Sequence, residues 1–303
     1  MFALAHLSDP HLADWSADRP WSLANKRLTG WLSWRLNRRR IHLARVLDLM
    51  LSDIASQTID HVAVTGDLIN ISLPREFENA AHWLRRLGPS DKVTVIPGNH
   101  DAYVAVPQSE GIGRWRDYMT DLAWERTDTA AAVDSFPFVR RVGPLALIGV
   151  STAVPMPPFV AAGKLGAAQL TALRGILTQL RNSAFRVVLI HHPPFPGGAY
   201  RRKALLDAKE FVDVLRESGA ELVLHGHTDV AGLGRIGQTP VIGVPSASAV
   251  RSGHKDAAAY NLYRISQVDR DWKVGVEIRG LSSDQSRFAP IGGFELTIPA
   301  LQH

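Results

Sequence analysis

Cysteine is absent from all 303 residues. That absence excludes structural disulfides, thiolate metal sites and a cysteine nucleophile. Any metal must be held by His, Asp, Glu or Asn, a donor set suited to harder ions than thiolates select. Long apolar runs are missing too. No stretch approaches the roughly 18 apolar residues of a membrane-spanning helix, and the opening MFALAHLSDPHL lacks the charged start and long apolar centre of a signal peptide. A cytoplasmic location is therefore expected, with peripheral attachment to the inner face of the membrane left open. Proline-, glycine- or serine-rich linkers, internal repeats and low-complexity tracts are also lacking, so one domain over 1–303 is the simplest division. A chain of this length can bury a sizeable core without disulfides.

Acidic residues are missing from one segment. Between Arg19 and Arg45 there are eight Lys/Arg and no Asp or Glu. Elsewhere 26 of the 34 basic residues remain against 29 acidic ones, so the formal charge of +5 is a local property. The stretch around it, about 14–45, is a long insertion between the first two predicted strands and holds four of the eight Trp: Trp15, Trp21, Trp31 and Trp34. Ala24, Leu28, Trp31 and Leu32 fall on one face of a helix there. Three readings stay open. The insertion is an amphipathic lid with Trp inward and Arg in water, a contact for an anionic membrane surface or lipid-like substrate, or, ranked third, a contact for nucleic acid.

Elsewhere, short apolar runs alternate with helical patterns. Strands are predicted over 3–7, 60–65, 92–96, 145–150, 185–190, 221–224, 232–236, 241–244, 260–265 and 272–278. Apolar residues at spacings of three and four predict helices over about 40–56, 74–87, 113–122, 167–181 and 205–218. Pro74 suits a helix start, with Glu76 and Glu78 in its first turns. The alternation predicts a layered α/β fold with mixed sheets.

The chemistry-bearing residues sit just after the strands. Asp9 and His11 follow the first, Gly66-Asp67 the second, and Gly98-Asn99-His100-Asp101 the third. His191-His192-Pro-Pro and His225-Gly226-His227-Thr228-Asp229 follow two later ones. Sites in open α/β sheets gather at the carboxyl ends of strands, so five such clusters can converge on one edge. Each alone is a weak signal; the ordered set is not. His192 and His225 read as neighbours of ligands rather than ligands, and Arg201, Arg202 and Lys203 as a basic loop within reach of a phosphate.

The ordered set D-x-H, GD, GNHD, H-x-P and GH-x-(H), from Asp9 to Asp229, resembles the calcineurin-like metallophosphoesterase superfamily, in particular its bacterial phosphodiesterases. The resemblance implies an α/β/β/α sandwich of two mixed sheets flanked by helices and a centre of two divalent ions, Mn and/or Fe, with Zn also compatible. It places one ion on Asp9, His11, Asp67 and a ligand from the last motif, and the other on Asp67, Asn99, His191 and His227, with Asp67 shared. Hydrolysis of a phosphodiester by in-line attack of metal-activated hydroxide is implied, with His100 at the transition state or leaving oxygen and Asp101 orienting the His100 ring. One position departs from the pattern: Asp229 stands where the family usually has a metal-ligating His, and it is expected to serve as that ligand. The segment Lys26-Arg27-Leu28-Thr29-Gly30-Trp31-Leu32 loosely resembles relatives that cleave the pyrophosphate of UDP-diacylglucosamine. A membrane-surface pyrophosphatase and a catalytically degenerate binding protein therefore stand as alternatives.

Overall fold

The structure, a computed structural model, describes residues 1–12, 26–36, 38–120, 136–195, 197 and 201–299. Of the basic insertion, Arg19, Trp15, Trp21 and Ala24 lie outside the described residues, as do the last two positions of the predicted helix 113–122.

The chain begins with β1 (Phe2–Leu7), α1 (Arg27–Leu36), α2 (Ala44–Ser56), β2 (His61–Val64), α3 (Pro74–Leu87) and β3 (Val93–Val95). Next come β4 (Phe138–Val142), β5 (Leu145–Gly149), α4 (Ala167–Gln179), β6 (Phe185–Leu189), α5 (Ala208–Ser218) and β7 (Leu222–His225). The last strands are β8 (Gly232–Ile236), β9 (Thr239–Gly243), β10 (Ala259–Val268), β11 (Asp271–Leu281) and β12 (Phe288–Ile298). They form two six-stranded sheets, ordered β12-β11-β10-β1-β2-β3 and β4-β5-β6-β7-β9-β8. Both sheets are mixed: β1, β2 and β3 run parallel, as do β5, β6, β7 and β9, while their flanking strands pair antiparallel.

Side chains alternate across a strand, and the packing follows that period. From β1, Ala3, Ala5 and Leu7 meet Met50 and Ile54 of α2 and Phe77 and Leu84 of α3. Leu4 faces the other way, into a layer with Leu147, Val187, Leu189, Leu224 and Tyr263 between the sheets. The second sheet carries α4 and α5 on its outer side through Leu173, Leu177, Phe211 and Leu215. The result is the expected α/β/β/α sandwich.

Two strands escaped the sequence reading. In β4 the centre is Arg140-Arg141, which breaks the apolar pattern. Arg140 is nonetheless buried, because its guanidinium donates to the carbonyls of Asp117, Val93, Ser90 and Thr120. The β12 sequence contains Pro290, Gly292 and Gly293, residues a central strand avoids; it is an edge strand, with a register shift opposite Ile278/Arg279. The helix predicted over 113–122 is a 3-10 turn at Ile112–Tyr118. A Cβ at Gly113 would press on the Gln108 carbonyl, so the tighter turn is kept by a close backbone approach. Arg38–Arg40 likewise form a separate 3-10 turn ahead of α2. At the start of α3, the buried Glu76 carboxylate collects the N–H groups of Asn70, Ile71 and Leu73, tying the helix to the loop after β2.

Candidate metal centre

Main-chain hydrogen bonds join the loop after β1 to that after β2, and the loop after β7 to that after β6. Asp9 N–H donates to the Gly66 carbonyl (2.9 Å), His11 N–H to the Asp67 carbonyl (3.1 Å) and Gly226 N–H to the His191 carbonyl (3.1 Å). Five candidate residues hold left-handed backbone: Asp9 (φ 54°), His11 (46°), Asp67 (55°), His227 (74°) and Asp229 (56°). Non-glycine residues adopt that region at a cost, and such strain collects at functional sites. Two glycines are needed for close approach. A Cβ at Gly98 would fall on Asp67 Oδ1 and the His191 ring, and one at Gly226 on Ser8 and Asp9.

The convergence brings two groups of potential ligands together. Asp9, His11 and Asp67 form one and Asp67, His191 and His227 the other, each with ligand atoms within 4.8 Å of one another and all residues buried. Asp67 belongs to both. His191 Nε2 lies 3.4 Å from Asp67 Oδ2, 3.2 Å from Asn99 Oδ1 and 3.2 Å from His227 Nδ1. His11 Nε2 lies 3.7 Å from Asp9 Oδ1 and 3.9 Å from Asp67 Oδ2.

Backbone carbonyls set the tautomers. A carbonyl only accepts, so the ring nitrogen facing it carries the proton. His191 Nδ1 donates to the Thr65 carbonyl (2.6 Å), His11 Nδ1 to that of Ile69 (3.3 Å) and His227 Nε2 to that of Lys203 (3.0 Å). In His11 and His227 the other nitrogen presents its lone pair inward, the orientation a metal ligand requires, and His191 turns Nε2 toward Asp67 Oδ2, where a bound cation would take the place of its second proton. Asp9 Oδ1, buried beside His11, has no hydrogen-bond partner. Acceptors converging around an orphaned carboxylate oxygen, with two triads sharing one Asp, fit a pair of divalent ions. The all-N/O donor set suits such ions.

The electrostatics point the same way. Burial alone would lower the His191 pKa, but the Asp67 and Asp9 carboxylates outweigh it and push it up to about 10. Burial, reinforced by Asp67, pushes Asp9 up to about 7. Burial with Arg38 alongside pushes His11 well below its ordinary range and His100 down to about 4. The site therefore calls for positive charge at its centre.

Asp229 is buried near Asp9 but belongs to neither triad; one of its oxygens takes the Lys255 ammonium at 2.5 Å, and Oδ1 is buried without a partner. His100 is fixed by donation from Nδ1 to the Asn70 carbonyl (2.6 Å), and its ring stacks on Tyr103 (5.9 Å, 8°). The expected pairing of Asp101 with the His100 ring is not formed. Asp101 instead accepts the N–H groups of Asp67 (2.8 Å), Gly98 (2.8 Å) and Ile69 (3.1 Å). Those donors sit on the ligand loops, so Asp101 braces the loops and leaves the ring to a carbonyl. His192 bonds to Thr152 and the Ala161 carbonyl, and His225 to Gly226.

Sequence reasoning missed Arg38, Tyr103 and Lys255. Arg38 sat in a run of three arginines with nothing to single it out, and Tyr103 follows the GNHD motif too closely to draw attention. Beside His100 opens a cavity of about 230 Å³, lined among others by Asn99, Tyr103, Trp34, Arg38, Met156 and Phe159.

Residues 2–231 match the family profile of calcineurin-like phosphoesterases. The chain belongs to that family. Membership makes it a metal-dependent phosphoester hydrolase by class, and the two triads sharing Asp67 supply candidate ligands for the metals. No curated protein matches the chain by sequence. Among solved structures, the fold is shared with a Staphylococcus aureus protein described as a candidate 5'-nucleotidase (TM-score 0.52, 13% identity). That match takes in 100% of this chain, which spans only 55% of the other. GAP50 of Plasmodium is similar over 98% of this chain and 89% of its own (TM-score 0.50, 12% identity). A Zn2+ complex of Vps29 from Entamoeba histolytica also matches (TM-score 0.44, 12% identity, 98% of this chain and 99% of that one).

Proposed function

We propose that this metallophosphoesterase hydrolyses phosphodiesters with two divalent ions, Mn2+ and/or Fe2+, held by Asp9, His11 and Asp67 and by Asp67, Asn99, His191 and His227. The observation that carries the reading is the pair of buried triads sharing Asp67 beside an organic-lined cavity. When bound, such ions supply Lewis acidity and an activated water for attack on phosphorus. The chain's own residues do the rest. Thr65, Ile69 and Lys203 carbonyls hold three imidazoles in the ligating tautomer. Asp67 and Asp9 concentrate negative charge where cations belong. Asp229, with one oxygen on Lys255 and one without a partner, is the further ligand candidate beside Asp9. His100 lines the cavity with its Nε2 held by Arg38, and Tyr103, Trp34, Met156 and Phe159 offer room and apolar contact for an organic group of the ester.

The test is hydrolysis of bis(p-nitrophenyl) phosphate against p-nitrophenyl phosphate by the Mn2+-loaded protein. We expect kcat/KM for the diester to exceed that for the monoester by about tenfold, the scale of discrimination by one pocket contact. Preference for the monoester would sink the diesterase reading.

A second reading rests on α1. Leu28, Leu32 and Leu36, one helical face, are 46%, 44% and 69% exposed, and Arg35 of the same helix and Arg39 and Arg40 of the next turn are exposed too. An apolar stripe edged by cations suits an anionic membrane surface or a lipid-bearing substrate such as a nucleotide-linked lipid pyrophosphate. Among the described residues no helix is long and apolar enough to cross a membrane.

A further inference from the structure

The Lys26-Arg27-Leu28-Thr29-Gly30 segment has a clear physical task. Lys26 donates to the carbonyls of Met156 (2.7 Å) and Tyr103 (3.3 Å) and lies 4.0 Å from the centre of the Tyr103 ring. Arg27 donates to the carbonyls of Ile71 (3.2 Å) and Ser72 (2.6 Å), in the loop after β2. Gly30 allows the approach, because a Cβ there would collide with Ile71 and press on the Tyr103 ring. These contacts clamp the start of α1 over the loops that carry Asp67 and His100. The far end of the helix then runs into the turn Arg38–Arg40.

That placement carries Arg38 into the centre. Its Nη2 donates to His11 Nε2 at 2.8 Å and its Nη1 to His100 Nε2 at 3.0 Å. Both nitrogens are acceptors, since each ring has its proton on Nδ1 against a carbonyl. Among the described residues, Arg38 pairs with no carboxylate. A guanidinium aimed into the site and bonded to two imidazole nitrogens keeps its charge unpaired by any described carboxylate, and its planar fork matches the oxygens of a phosphoryl group. Arg39 and Arg40, its neighbours in the same turn, are exposed.

The His11 contact couples this receptor to the metal site. His11 Nε2 has one lone pair, so an ion bound to it and Arg38 Nη2 exclude each other. Release from His11 leaves Nη1 on His100 and frees an N–H edge between the ligand triads and the cavity. We propose that Arg38 is a phosphoryl-binding residue of this site, delivered by the Lys26/Arg27/Gly30 clamp and acting beside His100 on a non-bridging phosphoryl oxygen. The inference rests on the metallophosphoesterase reading above. It also assigns the fixed positive charge facing the phosphate to the guanidinium that donates to His100 Nε2.

The experiment is calorimetric titration of the full chain, first with Mn2+ and then, on the loaded protein, with inorganic phosphate. It compares the wild type with Arg38→Ala, Arg38→Lys and Arg39→Ala. Arg38→Ala is expected to bind Mn2+ at least as tightly as the wild type, since a competitor for His11 is gone. Its phosphate affinity is expected to fall by about tenfold to a hundredfold, the worth of a charge-assisted hydrogen bond. Arg38→Lys, which keeps the charge but not the fork, should fall between, and Arg39→Ala should match the wild type. Unchanged phosphate affinity in Arg38→Ala, or an equal loss in Arg39→Ala, overturns this proposal alone. Joint loss of Mn2+ and phosphate in Arg38→Ala also overturns it, making Arg38 a strut of the centre. A wild type that takes up no Mn2+ overturns the metallophosphoesterase reading and this proposal with it.

Discussion

Three N–H groups, those of Asp67, Ile69 and Gly98, end on the buried carboxylate of Asp101. Burial, with Asp67 close by, pushes its pKa up to about 8, while the N–H donors favour the ionised form. Removing the side chain strands all three donors, each at about 1–3 kcal/mol when buried. Asp101→Ala is therefore expected to lower stability by at least about 3 kcal/mol in urea unfolding. It should also weaken metal binding through the Asp67 loop. The His100 limb of the pH–rate profile should stay where it is, because Asp101 does not touch that ring; a shifted limb would restore the pairing that the sequence suggested. At this scale, what was legible is the position of each ligand candidate, since every one follows a strand. What was not legible is hydrogen-bond direction. GNHD places a carboxylate one residue after a histidine, but only the fold of the loop shows that the carboxylate turns back to the main chain. Arg38 was hidden for a related reason: its distinction from Arg39 and Arg40 is three-dimensional.

Among the elements, α1 is the one whose burial and composition disagree. It has no buried residue, yet it carries Leu28, Trp31, Leu32, Trp34 and Leu36. Its inner side is held by polar contacts to main-chain carbonyls, leaving the leucine stripe outward. If that stripe meets lipid, the protein should sediment with phosphatidylglycerol vesicles at low salt. The triple change Leu28→Ser, Leu32→Ser, Leu36→Ser should cut that binding by at least about tenfold, given roughly 1.5–3 kcal/mol for each leucine buried. A wild type that stays in the supernatant would end the membrane reading and leave α1 as a lid. The same scale explains which elements the sequence disclosed. β1, β6 and β7 are apolar and bounded by turns, and α3 is announced by Pro74. β4 and β12 were masked by arginines with carbonyl partners and by a proline and glycines tolerated at an edge.

For the whole molecule, the sandwich explains why one edge carries everything. β1, β2 and β3 in one sheet and β6 and β7 in the other end at the same rim, where His191 Nδ1 bonds the Thr65 carbonyl across the sheets at 2.6 Å. The first sheet supplies Asp9, His11, Asp67 and Asn99, and the second supplies His191 and His227. Asp67 stands where the two contributions meet. Alternation of strands and helices made the layered class readable in advance; the division into two sheets was implied only by the family resemblance, and their six strands each emerged with the structure, because β4 and β12 were hidden.

The most direct test of the account is the metal content of the purified, Mn2+-equilibrated protein, measured by mass spectrometry together with diester turnover, for the wild type and Asp67→Ala. The shared position of Asp67 predicts two ions per chain in the wild type and at most one in the variant, with turnover lost. A wild type with no bound metal and no turnover, or a variant that keeps both ions, would contradict it.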